Sequence, residues 1–127
     1  MIVLDANVVI GFLDANDPHH QASLDLLERH FVEGFGCSVL TIAEALVHPT
    51  RVDRQDAALA SLTRIGVQLI PLDTSDAIAL ADVRSTYRLR MPDAVALLTA
   101  MQFGSDLATF DAGLAAAAER AGVGRVK

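Results

Sequence analysis

The chain has 127 residues, 52% of them hydrophobic and 20% charged, with a net charge of −6. This composition suits one domain spanning 1–127 with a core of its own, and it excludes a disordered chain. A lone cysteine, Cys37, excludes an internal disulfide framework and a multi-cysteine zinc site, so a reducing cytoplasm is the expected compartment. No apolar run approaches the roughly 20 residues that cross a bilayer, so no membrane association is expected. Residues 1–4 run into Asp5 without the basic and apolar regions of a secretory signal. The basic residues are nine arginines and a single lysine, Lys127. Chemistry that needs an internal lysine is therefore excluded.

Residues 2–4 form a short apolar run that reads as a strand, and residues 7–13 read as a buried helical segment. Asp17-Pro18 has the form of a helix start, with Asp as cap and Pro in the first turn. That helix is expected to run to about Phe31 and to be broken by Gly34 and Gly36. A second strand is predicted over 37–40. Thr41-Ile42-Ala43-Glu44 has the capping-box spacing and should open a helix that Pro49 ends. An amphipathic helix over 53–65 uses Leu59, Leu62 and Ile65 as its inner side. Gly66 stops it before a third strand over 67–71. A helix over 74–89 follows, then one over 92–103 that is apolar nearly all round and should lie at the centre of the fold. Residues 107–110 read as a fourth strand, 112–121 as a last helix, and Arg125-Val126 as a short closing strand. Strands alternate with helices throughout. The expected architecture is an α/β three-layer sandwich, with a mainly parallel sheet of four to five short strands flanked by helices.

In such a sheet, sites form at the carboxyl ends of the strands. Asp5 directly follows the first predicted strand, Glu44 lies in the first turn after the second, and Asp111 follows the fourth. Asp93 is the second residue of the central helix. Each acid alone has an ordinary explanation. Glu44 could complete a capping box, and the three aspartates could serve as helix caps or favour helix N-termini. Together they are harder to explain, because two like charges 4 Å apart repel by about 1–4 kcal/mol at effective dielectrics of 80 to 20. A divalent cation relieves that repulsion, and an all-oxygen donor set points to Mg²⁺ or Mn²⁺ rather than zinc.

The stretches VLDANVVI at 3–10, TIAEA at 41–45, MPDAVALLTA at 91–100 and LATFD at 107–111 resemble the four acidic motifs of PIN-domain ribonucleases. The whole chain is similar to the toxin component of bacterial VapBC toxin–antitoxin pairs. The resemblance implies that Asp5, Glu44, Asp93 and Asp111 form the acidic pocket for one or two Mg²⁺ ions, with Mn²⁺ able to substitute. Asp5 and Asp93 would be direct ligands, and Glu44 and Asp111 would bind directly or through water. Asn7 would orient Asp5 or a water, and Thr109 would hydrogen-bond within the pocket. The implied reaction is endonucleolytic hydrolysis of RNA by an Mg-activated water. The implied partners are a cognate antitoxin, a transfer RNA or other structured RNA, and a second copy of the chain in a homodimer.

The remaining polar residues carry weaker signals. Arg84, Arg88 and Arg90 before the Asp93 motif, and Arg51 and Arg54 after the Glu44 helix, are candidate phosphate contacts or simply solvated cations. A metal-independent ribonuclease would need a histidine acid–base pair. None of His19, His20, His30 and His48 falls at a predicted strand end, and His19 and His20 fall in the first turn of a helix, where exposed polar residues are ordinary. Cys37 reads as a small core residue. The wording LDAN recurs at 4–7 and 13–16, but nine residues of helix turn Asp14 half a turn away from Asp5. The competing class is a regulatory module, either a catalytically inactive PIN-like scaffold or a receiver-like domain. Receivers use an acidic pair after the first strand and an internal lysine, and this chain has neither.

Overall fold

The computed structural model describes residues 1–126; Lys127 lies outside them. Four strands, β1 (Ile2–Leu4), β2 (Phe35–Ser38), β3 (Val67–Ile70) and β4 (Asp106–Ala108), form one sheet in the order β3-β2-β1-β4. Every pairing is parallel, with Val3 opposite Gly36 on one side and Leu107 on the other. The predicted closing strand is reduced to a single bridge between Leu107 and Arg125.

Eight α-helices accompany the sheet among the described residues: α1 (Ala6–Leu13), α2 (His20–Arg29), α3 (Val39–Ala45), α4 (Val47–Arg51), α5 (Gln55–Arg64), α6 (Asp76–Tyr87), α7 (Met91–Phe103) and α8 (Ala112–Arg120). Strand alternation divides the core between the two faces. Ile2 and Leu4 pack with Val8, Leu26, Ile42 and Leu62 on the side of α1, α2, α3 and α5. Val3 and Leu107 pack with Val83, Leu97 and Leu114 on the side of α6, α7 and α8. The result is the expected α/β/α sandwich. Helix α7 is buried from Ala94 through Ala100, as its continuous apolar sequence requires.

Several boundaries differ from the sequence reading. Strand β2 ends at Ser38, two residues before its predicted end. Ser38 itself caps α3, its hydroxyl accepting a hydrogen bond from the Leu40 amide at 3.3 Å. The Thr41–Glu44 capping box therefore does not open the helix, and Glu44 sits in its second turn. The apolar pair Val39 and Leu40 made the strand look longer, yet both are exposed on the first turn of α3. Pro49 does not end a helix but lies inside α4, a short separate segment. Helix α2 starts at His20 rather than at Pro18, because Asp17 bends the chain first by accepting from the His19 amide at 2.8 Å.

Candidate metal centre

An all-parallel sheet sends all four strand ends to one edge. Strands β1, β2 and β3 are laid down in one direction, and β4 then crosses to the far side of β1. The switch point lies between β1 and β4, where open α/β sheets form their crevice. Asp5 leaves the end of β1 there, and Thr109 leaves the end of β4.

Asp5 is buried, and each of its carboxylate oxygens accepts one hydrogen bond. One carboxylate oxygen accepts the Ala6 amide at 2.8 Å, capping α1. The other accepts the Thr109 hydroxyl at 2.8 Å. Thr109 is a hub: its oxygen also accepts from the Asp111 amide at 3.0 Å and from Asn7 Nδ2 at 3.3 Å. Asn7 closes the ring by accepting the Phe110 amide at 3.2 Å. Asn7 and Thr109 thus lock the start of α1 to the end of β4, with Asp5 as the shared acceptor.

Burial raises the Asp5 pKa from 3.8 to about 6, against the two hydrogen bonds, with the charges of Asp93 and Glu44 adding to the rise. Asp93 is brought in by the first turn of α7, and Glu44 by α3. Arg90 Nε, in the turn before α7, lies 3.5 Å from Asp93 Oδ2. The arginine is largely exposed and the aspartate is not. Beneath these acids Cys37 is buried, and its thiol donates to the Leu4 carbonyl at 3.3 Å. Burial, reinforced by Asp5, pushes that thiol up to about 12. It is a core residue and no thiolate ligand.

Asp111 is placed differently. It caps α8, and its Oδ1 accepts the Gly113 and Leu114 amides at 2.8 and 3.2 Å. Its link to the site runs through its amide on Thr109. The arginines also divide. Arg84 donates to the Leu89 carbonyl at 3.1 Å and closes the turn between α6 and α7. Arg88 occupies the left-handed cap of α6. Arg51 is exposed at the end of α4, and Arg54 lines a groove that also contains Glu44. Asp14 ends α1 and accepts the Asn16 amide at 2.9 Å. It borders the same groove, away from Asp5.

The donor chemistry fits a hard divalent cation. The charges of two carboxylates, Asp93 and Glu44, act on a third, Asp5, and neither a thiolate nor an imidazole is among them. Among the described residues, no three acidic, histidine or cysteine side chains already share one coordination sphere. Asp5 is the fixed member of the set. Asp93 faces Arg90, and Glu44 is exposed.

The profile of the PIN domain matches residues 2–120 of the sequence. The chain belongs to the PIN-domain family. No curated protein sequence matches it significantly. Among solved structures, this PIN domain is similar to FitAcB from Neisseria gonorrhoeae, with 23% identity over 100% of this chain and 97% of that one, at a TM-score of 0.75. It is similar to a toxin–antitoxin complex from Klebsiella pneumoniae, with 20% identity over 87% of both chains and a TM-score of 0.69. It is also similar to VapC20 of Mycobacterium tuberculosis, a Sarcin-Ricin loop cleaving toxin, with 16% identity over 92% and 95% of the chains and a TM-score of 0.67.

Two features of the PIN site escape a sequence reading. Ser38, rather than Thr41, fixes where α3 begins and hence where Glu44 falls. His19 stacks on Phe110, with ring centroids 4.5 Å apart and planes 16° from parallel. Residues so far apart in sequence leave no local signal of such a contact.

Proposed function

We propose that this PIN domain is a metal-dependent endoribonuclease and the toxin half of a toxin–antitoxin pair, working in the cytoplasm as a homodimer. The observation that supports this most directly is the buried Asp5 at the β1/β4 switch point, anchored by Thr109 and acted on by Asp93 and Glu44. An acid raised toward neutrality chiefly by burial, with other acids adding to the rise, costs stability and is a mark of a functional site. Asp5, Asp93 and Glu44 would hold Mg²⁺ or Mn²⁺. Asp111 would act from the rim, directly or through water.

When bound, the cation supplies activation of water and neutralisation of charge on the phosphodiester. The chain's own residues do the rest. Thr109 and Asn7 fix the Asp5 carboxylate so that it need not reorganise when ligand arrives. Arg90 holds Asp93 in the free protein, and its exposed guanidinium is then available to an RNA phosphate. Arg51, Arg54 and Arg88, all exposed, are further cations for the backbone of a transfer RNA or another structured RNA. The groove of about 470 Å³ between α1, α4 and α5 is lined by Leu13, Val47, Val52 and Arg54 and shares Glu44 with the acids. An antitoxin segment seated there would cover the site. The neighbouring toxin–antitoxin complex supports such a partner.

The test is cleavage of total RNA by the purified chain in Mg²⁺, with end mapping. Discrete ends that vanish in excess chelator and in Asp5→Asn and Asp93→Asn are expected. Cleavage that persists in chelator sinks the mechanism. No cleavage of any RNA by the wild-type chain favours an inactive PIN-like scaffold.

A further inference from the structure

The ring of His19 lies flat on that of Phe110. Phe110 sits between Thr109, which holds Asp5, and Asp111, and its own amide bonds Asn7. The stack therefore stands at the rim of the acid cluster, one residue from its hub. Phe110 is half-buried and packs against the core beside α1, whereas His19 is exposed. One face of the imidazole is covered by Phe110, and the residue as a whole is exposed.

The backbone that carries His19 is pinned at several points. Asp17 accepts the His19 amide, His20 Nδ1 pairs with the Gly11 carbonyl at 2.7 Å, and the His19 carbonyl accepts from the Ser23 amide at 2.8 Å. Gly11 also lies so close to Ser23 that a Cβ there would overlap the hydroxyl. The join between α1 and α2 is thus secured without the His19 imidazole, whose one ring contact among the described residues is Phe110.

We propose that the His19–Phe110 stack is a nucleobase platform, on which a base flanking the cleaved phosphate of an RNA strand stacks against the open face of His19. This rests on the ribonuclease reading and deepens it by assigning a subsite. Charge supports RNA stacking over a mainly electrostatic grip. The chain carries a net charge of −6, so its exposed arginines supply only a modest attraction for phosphates, whereas stacking is indifferent to net charge. Unstacked bases in RNA loops and single strands are the species such a ring receives. His19 is here a positioning residue for substrate.

The experiment uses the full chain and single-stranded RNA oligonucleotides carrying 2-aminopurine, whose fluorescence falls on stacking. Binding is read in chelator, and single-turnover cleavage of the same oligonucleotides is read in Mg²⁺. The wild-type chain is expected to quench the probe. His19→Ala should abolish the quenching and weaken binding about tenfold, in line with the loss of one stacked base, with its melting temperature little changed. His19→Phe should keep both quenching and affinity, because a phenyl ring stacks as well. The inference is overturned if His19→Ala binds and quenches like the wild type. It is also overturned if His19→Phe loses as much as His19→Ala. Where the wild-type chain cleaves RNA and His19→Ala is indistinguishable from it, only the platform falls. Where the wild-type chain neither binds nor cleaves RNA, the ribonuclease reading falls with it.

Discussion

Replacing Asp5 by Asn removes the acid on which the proposed site is centred, and the metal-free protein is expected to become more stable. Asp5 is held at about 6 against an ordinary value of 3.8, a rise of about 2 units. For an acid with a raised pKa, the folded state holds its proton more tightly than the unfolded state. The fold is then unpenalised below about pH 4 and loses stability as pH climbs to about 6. At roughly 1.36 kcal/mol per unit, the ionised carboxylate costs the fold about 3 kcal/mol above that window. Asparagine removes the charge but disturbs the hydrogen bonds. Its amide cannot accept from both the Ala6 amide and the Thr109 hydroxyl, and one mismatch costs about 1 kcal/mol. The net gain is about 2 kcal/mol at pH 7.5, or roughly 8 °C in melting temperature for a chain of this size. Thermal and urea unfolding in chelator, at pH 7.5 and pH 4.0, measures it. The gain should shrink or reverse at pH 4.0, where wild-type Asp5 is largely protonated. Equal stabilities at both pH values, or a loss at pH 7.5 as large as at pH 4.0, would refute the assignment of Asp5 as a destabilised buried acid.

Other outcomes follow from the same geometry. Millimolar Mg²⁺ or Mn²⁺ should raise the wild-type melting temperature by binding the folded state, by about 2.7 kcal/mol at a hundredfold excess over Kd, and should do nothing for Asp5→Asn; an equal shift in both would place the ion elsewhere. Thr109→Val keeps shape but removes the oxygen that serves Asp5, Asn7 and the Asp111 amide, and should cost about 2–3 kcal/mol in urea denaturation. It should also move the pH midpoint of the Asp5-linked stability loss upward, since the Thr109 bond lowers that pKa. Gly11→Ala should destabilise by about 1–3 kcal/mol through overlap with Ser23, and Ser23→Ala in the same chain should recover part of the loss. The Cys37 thiol should stay unreactive toward a thiol reagent at pH 8 in the native protein and react on unfolding; rapid native labelling would contradict its burial.

Much of this protein is written locally. Hydrophobic alternation and helix punctuation suffice to order the strands and helices and to make the sheet parallel. A parallel sheet then sends the acids after β1 and β4 to one edge. The Pro92-Asp93 first turn of α7, one residue inside its Met91 start, and the Asp111 cap of α8 could also be read from neighbouring residues, because first-turn and capping preferences act over three residues or fewer. What the sequence could not decide was set by contacts between distant segments. The apolar run through Val39 and Leu40 fits a strand or a helix equally well, and only the end of β2 pairing at Ser38 settled where α3 begins and where Glu44 falls. Asp111 and Asp5 look alike in sequence, each an acid after a strand. Tertiary structure separates them, since Asp5 is buried between β1 and β4 beside Asp93 and Glu44, while Asp111 is committed to the amides of α8. The stack of His19 on Phe110 depends on where α2 is carried by the turn at Asp17 and where β4 ends, which no local pattern records. Local propensity is a property of a few adjacent residues. Burial, the raised pKa of Asp5 and the ring contact exist only once the sheet has brought remote residues to the same edge.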